Sequence, residues 1–209
     1  MVSAFARVLG RGVWMFTRVA DVLAGPSGAQ GTPRALTPRE RALLLRVFGG
    51  ALDLERIELV PAVSLNTWTP REGHLPRAIG DRIYWPSRGM FAGWMSEDGV
   101  TADGESTLIH EAAHVAQHQH GGVAYMGDSL ACQLGGILRG RGRSAAYDWV
   151  QAARGGVPWQ RLGAEQQARL IEEAFTSSVS YFDRSDLSEY VAHALEEARA
   201  GRGWCGCSV

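Results

Sequence analysis

From Phe5 onward the apolar residues Val8, Leu9, Val13, Phe16, Val19, Ala20 and Leu23 recur three or four positions apart, while Arg7, Arg11 and Arg18 share another face. This spacing predicts an amphipathic helix over 1–24. The run from Gly25 to Pro33 combines phi-permissive glycine with helix-breaking proline and has no apolar face to bury, which predicts a flexible linker over 25–36. Thr37 before Pro38, with Glu40 three positions on, has the spacing of a capping box with proline in the first helical turn. Leu43, Leu44, Val47 and Phe48 then form the buried stripe of that helix, which Gly49 and Gly50 end. Two short alternating runs, Arg56 to Val60 and Arg82 to Trp85, predict strands of a small sheet, and Pro86 places the second at an edge. Residues 105–120 carry the strongest helical pattern, with Leu108, Ile109, Ala112, Ala113 and Val115 facing the core and Gly121-Gly122 as the stop. Helical spacing resumes over 144–153, 164–179 and 187–199. Before them, the stretch from Gly135 to Gly142 with Arg139, Arg141 and Arg143 reads as a solvated basic loop, and after them 201–209, with Trp204-Cys205-Gly206-Cys207, reads as a frayed tail. The pattern amounts to an α+β domain over 37–200, mainly helical, with a small sheet packed on the 105–120 helix.

Composition narrows what such a domain can do. With 45% hydrophobic and 21% charged residues, the 209-residue chain has enough apolar content for a core and is not a disordered polymer. A formal charge of -1 provides no global attraction to nucleic acid or to an anionic membrane, so any such contact would need a local patch. All 21 basic residues are arginine, which excludes lysine-based catalysis. Three cysteines, Cys132, Cys205 and Cys207, do not make a disulfide framework, so a reducing, cytoplasmic setting is the default expectation. The arginines of 1–24 break any uncharged run long enough to span a bilayer or to serve as a cleaved signal. Export without a cleaved signal stays open. The first helix is instead expected to dock on its own domain, on a protein partner or on a membrane surface.

Chemistry concentrates in His110-Glu111-Ala112-Ala113-His114, an HExxH motif inside the strongest helix. Four residues are about one turn, so both imidazoles project from one face with Cβ atoms roughly 6 Å apart, close enough to share a zinc ion. Glu111, one residue round from His110, is placed to reach a metal-activated water as general base. A catalytic zinc needs a third protein ligand and an open fourth position. Glu165, opening the 164–179 helix, is the preferred third ligand. His120 is a rival, at the position where metzincins carry their third histidine, but Gln117 stands where that class has its turning glycine. Glu172, two turns beyond Glu165, is expected to accept a hydrogen bond from a ligand histidine or, failing Glu165, to ligate. His118 is about 12 Å along the helix from His110, too far to join both others, and is expected at the surface. Tyr147 and His193 are candidate donors to a developing oxyanion, a role that spacing leaves unassigned.

The sequence resembles bacterial zincin-like proteins related to the core domain of extracellular contractile injection systems and of toxin-associated proteins. The likeness lies in Leu36 to Glu40 with Val47 to Asp53, in Thr107 to Gln117 around the motif, and in Glu165-Gln166-Gln167-Ala168, spanning about 36–180. In the related gluzincins a downstream helix supplies a glutamate ligand, with an alanine three residues later that lets two helices approach. The resemblance implies a zincin-like fold and a zinc metallopeptidase acting on peptide or protein substrates, with His110, His114 and Glu165 as ligands. The rival expectation is a non-catalytic zincin-like module of a secretion, injection or toxin-associated assembly.

Overall fold

The computed structural model describes residues 4–24, 31–62, 68–69, 73–87, 92–96, 98–127, 147–176 and 185–204. The helices are α1 (Ala4–Ala24), α2 (Pro38–Phe48), α3 (Glu105–Gly121), α4 (Trp149–Arg154), α5 (Ala164–Thr176) and α6 (Ser188–Arg199). The strands are β1 (Arg34–Ala35), β2 (Glu58–Ala62), β3 (Trp68–Thr69), β4 (Gly73–His74), β5 (Arg77–Ile79), β6 (Arg82–Pro86), β7 (Met95–Ser96) and β8 (Gly99–Val100). Four of them form one sheet in the order β1-β2-β6-β5, in which β2 and β6 run parallel and the outer pairs antiparallel. β3 with β4 and β7 with β8 make two separate hairpins. The fold is α+β, with the sheet against α3, as the alternation of patterns along the chain implies.

Local chemistry explains why the elements start where they do. Thr37 caps α2 with its hydroxyl on the Glu40 N–H, and the Glu40 carboxylate returns to the Thr37 N–H at 2.7 Å. Glu40 is buried and also accepts from the Val100 N–H and from both terminal nitrogens of Arg34, each at 2.8 Å. One carboxylate thereby joins β1, α2 and β8. Period-two alternation then splits the sheet into two faces. Leu59, Ile83 and Trp85 enter the main core under the helices, while Val60, Ala62 and Tyr84 form a smaller cluster with Ile79 on the other side. Ala112, Ala113, Ala116 and Ala168 are fully buried, and α3 and α5 pack against each other along the side of α3 that carries His110, His114 and Gln117.

Four expectations need correction. Residues 31–36 are not linker: Arg34–Ala35 pairs with β2, Gly31 donates to the Pro61 carbonyl at 2.6 Å and Leu36 is buried. The strand expected at 56–60 lies at 58–62, because Leu54–Arg56 closes a 3-10 turn first. The strand at 82–86 is interior rather than an edge. Pro86 is its last residue, paired with Ala62, so its missing N–H interrupts nothing further along, and proline at a strand end does not imply an edge. The sheet's edges are β1 and β5. Finally, 201–204 are not frayed: Trp204 is buried, stacked edge-on against Trp159 at 5.3 Å, and donates to the Ala198 carbonyl at 2.9 Å. Residues 205–209, with the Cys205 and Cys207 pair, lie outside the described residues, as do Cys132 and the arginine loop at 139–143.

Helix α1 appears where its pattern puts it. It approaches the end of α3 through Gly10: a Cβ there would sit 2.1 Å from the Val123 carbonyl oxygen, a contact that only glycine permits.

Candidate metal centre

His110 and His114 lie one turn apart on α3, and their rings meet edge to face with centroids 5.0 Å apart. Glu165, the second residue of α5, points its carboxylate between them. Its Oε2 is 3.5 Å from Nε2 of His110 and 3.5 Å from Nε2 of His114, and the three donor atoms all lie within 4.8 Å of one another. Ligands at zinc distances in a tetrahedron are separated by about 3.4 Å, so the spacing suits that ion, and two imidazoles with one carboxylate suit its chemistry. Among the described residues this is the one cluster of histidine, cysteine and carboxylate groups able to hold a metal.

The outward nitrogen of each ring is also engaged. Nδ1 of His110 lies 3.1 Å from Oε2 of Glu172, which in turn accepts from Arg169 at 3.1 Å. Glu172 is therefore a hydrogen-bond partner of His110. On the other side, Nδ1 of His114 lies 2.8 Å from Oε1 of Gln117. The direction of that bond follows from the groups behind it. Gln167 Nε2 donates to two backbone carbonyls, Trp159 at 3.1 Å and Gly203 at 2.8 Å, which turns its Oε1 toward Gln117. Gln117 Nε2 donates to that Oε1 at 3.2 Å and to the Ala164 carbonyl at 2.9 Å. Only the Gln117 oxygen is left for His114, so Nδ1 of His114 carries a proton. In the neutral ring Nε2 then holds the lone pair, on the side where Glu165 stands.

Charge reinforces the arrangement. Burial disfavours a charged His110, but Glu165, Glu172 and Glu111 outweigh it and push its pKa up to about 10. His114 is likewise raised by Glu165 against the cost of its burial. Glu165, although buried, is held well below the usual carboxylate range by the two histidines. A site that keeps protons on imidazole near neutral pH exerts a field that also favours a divalent cation.

Glu111 is buried and accepts the Ala78 N–H at 2.6 Å through Oε2, while its other oxygen makes no hydrogen bond among the described residues. Ala78 is the middle residue of edge strand β5, and its carbonyl accepts from the Tyr125 hydroxyl at 3.1 Å. The Tyr125 ring stacks on His114 with centroids 6.1 Å apart, and burial pushes its phenol pKa up, which keeps it a neutral donor. Of the two oxyanion candidates, Tyr147 stacks on His110 at 6.2 Å, whereas His193 is exposed on α6.

His120 and His118 are excluded by position. His120 points its Nε2 to the Ala51 carbonyl at 2.7 Å, because α3 continues straight through Gln117 and carries it away from the centre. His118 is half-buried rather than at the surface, edge-on to Tyr125 at 6.0 Å. Ala78, Tyr125, Gln117 and Gln167 escape the sequence reading. Gln117 alone carried a signal, since it lies three residues after His114 on the same face of the helix. No family model, curated protein or solved structure matches the chain.

Proposed function

We propose that this chain is a zinc-dependent metallopeptidase of the zincin type, with His110, His114 and Glu165 as metal ligands and Glu111 as general base. The observation that carries the reading is the convergence of His110 Nε2, His114 Nε2 and Glu165 Oε2 at tetrahedral spacing, each ring held from behind by a hydrogen bond. The resemblance of 36–40, 47–53, 107–117 and 165–168 to the injection-system core domain supports the same reading.

Bound zinc would supply Lewis acidity to a peptide carbonyl and lower the pKa of a water to about 7. Glu111 is anchored through Oε2 by the Ala78 N–H, which leaves Oε1 to take the proton of the attacking water and to hand it to the departing amine. The outward edge of β5, next to Glu111, is the surface on which an extended peptide could pair, in place of the interior β6. Ala78 already spends its N–H on Glu111 and its carbonyl on Tyr125, so a substrate strand either pairs beside it or displaces the phenol.

One contact favours a second reading, a non-catalytic zincin-like module of a secretion or toxin-associated assembly. That contact is the same Ala78 to Glu111 bond, which engages the general base with the protein's own strand. Metal content of the purified protein, followed by digestion of a peptide library, separates the two. The peptidase reading expects stoichiometric zinc, cleavage, and a Glu111→Gln variant that keeps zinc but loses activity by about 10²-fold or more. Unchanged cleavage by that variant would remove Glu111 from the chemistry. Stoichiometric zinc without cleavage of any peptide would establish the binding module.

A further inference from the structure

The first helix is docked on one side and open on the other. Gly10 is buried against the Val123 carbonyl and Ala20 is buried too, so α1 is fixed to the domain along that side. On the opposite side Val8, Met15, Phe16 and Val19 are 55 to 70% exposed. At about 100° per residue these four fall within an arc of roughly 100°, and nothing lies within 4 Å of a Cβ built on Gly12 between them. Large apolar side chains this exposed, gathered on one strip, mark a contact surface rather than scattered surface hydrophobes.

The helical register places Arg7, Arg11 and Arg18 within about 40° of one another, along one border of that strip. Arg11 is exposed. The helix has one acidic residue, Asp21, against those three arginines. A second copy of α1 laid on this face would bring like charges together, so charge disfavours self-association and favours an anionic partner. An apolar strip beside the exposed Arg11, on a helix whose sequence is net basic, matches a bilayer surface, where acyl chains take the strip and headgroup phosphates attract the basic residues. No helix among the described residues is long and apolar enough to cross a membrane, which leaves lying on the surface as the mode.

We infer that the outward face of α1 adsorbs the protein to anionic lipid bilayers, with Val8, Met15, Phe16 and Val19 entering the headgroup boundary and Arg11 beside them at the level of the phosphates. This rests on α1 alone and not on the metal centre.

The test is co-sedimentation of the full chain with vesicles of phosphatidylcholine alone and with vesicles containing phosphatidylglycerol, across a salt series. Binding should need the anionic lipid and weaken as salt rises, because exposed charge pairs are screened. Met15→Ser with Phe16→Ser should reduce partitioning by about tenfold or more, since two large side chains no longer leave water. Circular dichroism checks that this variant stays folded, as expected for two exposed positions. Arg11→Ala should lower binding and flatten the salt dependence. No binding, equal binding to both vesicle types, or full binding by the double variant would each overturn the inference. A concentration-dependent dimer abolished by the double variant would reassign the face to self-association.

Discussion

Gln117 offers the sharpest test of how the site is held. Its amide is fully buried and makes three hydrogen bonds: it receives the His114 Nδ1 proton and donates to the Ala164 carbonyl and to Gln167. Gln117→Leu preserves approximate volume and removes all three. It orphans the imidazole N–H and an amide oxygen, where each buried unsatisfied group costs about 1 to 3 kcal/mol, and takes one donor from the Ala164 carbonyl, which keeps its intrahelical bond. Partial repacking and the gain in apolar burial offset some of this, so a loss of about 3 kcal/mol in the metal-free protein is expected. The second consequence is specific to the site. Without an acceptor at Nδ1 the neutral His114 ring can hold its proton at Nε2, where a metal needs the lone pair, and can swing away from Glu165. Removal of such partners costs about 10- to 100-fold in metal affinity. Competition against a chromophoric chelator measures that affinity, and thermal melting with and without chelator measures stability. Gln160→Ala, which removes an exposed amide bonded to Glu197, is the control and should change neither. A folded Gln117→Leu protein with native zinc affinity would refute the orienting role and leave the network merely structural.

Other outcomes follow from the same geometry. Glu165→Ala should lower zinc affinity beyond the roughly 100-fold typical of an outer partner, whereas His120→Ala should retain zinc and cost only about 1 kcal/mol for the Ala51 bond; the reverse ordering, read by metal retention on dialysis, would exchange the ligand assignment. Zinc loading near neutral pH should release about one proton, seen by calorimetry in buffers of different ionisation heat, because the His110 pKa stands at about 10 before metal arrives. Since that pKa is raised on folding, its stabilisation is complete below about pH 6.5 and disappears as pH rises through about 10, so the chelated protein should melt at lower temperature in that alkaline window. Glu40→Gln should destabilise by about 3 kcal/mol or more, because an amide nitrogen would replace one of two oxygens that receive four donors. The Glu40 carboxyl pays a burial penalty, yet Arg34 and the Thr37 and Val100 N–H groups hold its pKa below 4.5. Its contribution is therefore present above that pH and should vanish as pH falls through the lowered value, removing part of the acid transition in the variant.

What could be read from the chain alone was whatever short-range geometry dictates. A helix fixes the spacing of residues three or four apart, so His110 and His114 had to share a face, and the capping box at Thr37 and Glu40 had to start a helix. Glu165 was legible only as a carboxylate opening a later helix. Its arrival between the two imidazoles depends on α3 and α5 packing against each other, a long-range event that local spacing does not encode. The strand order was likewise settled by the folded sheet: Pro86 pointed to an edge, but β5, too short and weakly patterned to read as a strand, took the outer position. Partners that reach the site through space carried almost no signal. Ala78 acts through its backbone N–H, Tyr125 arrives from beyond the α3 stop, and Gly203 closes the glutamine chain from a segment that read as tail. Sequence periodicity determined which atoms could face one way. Only tertiary packing decided which of them meet, because hydrogen bonds between distant segments form where the core brings those segments together.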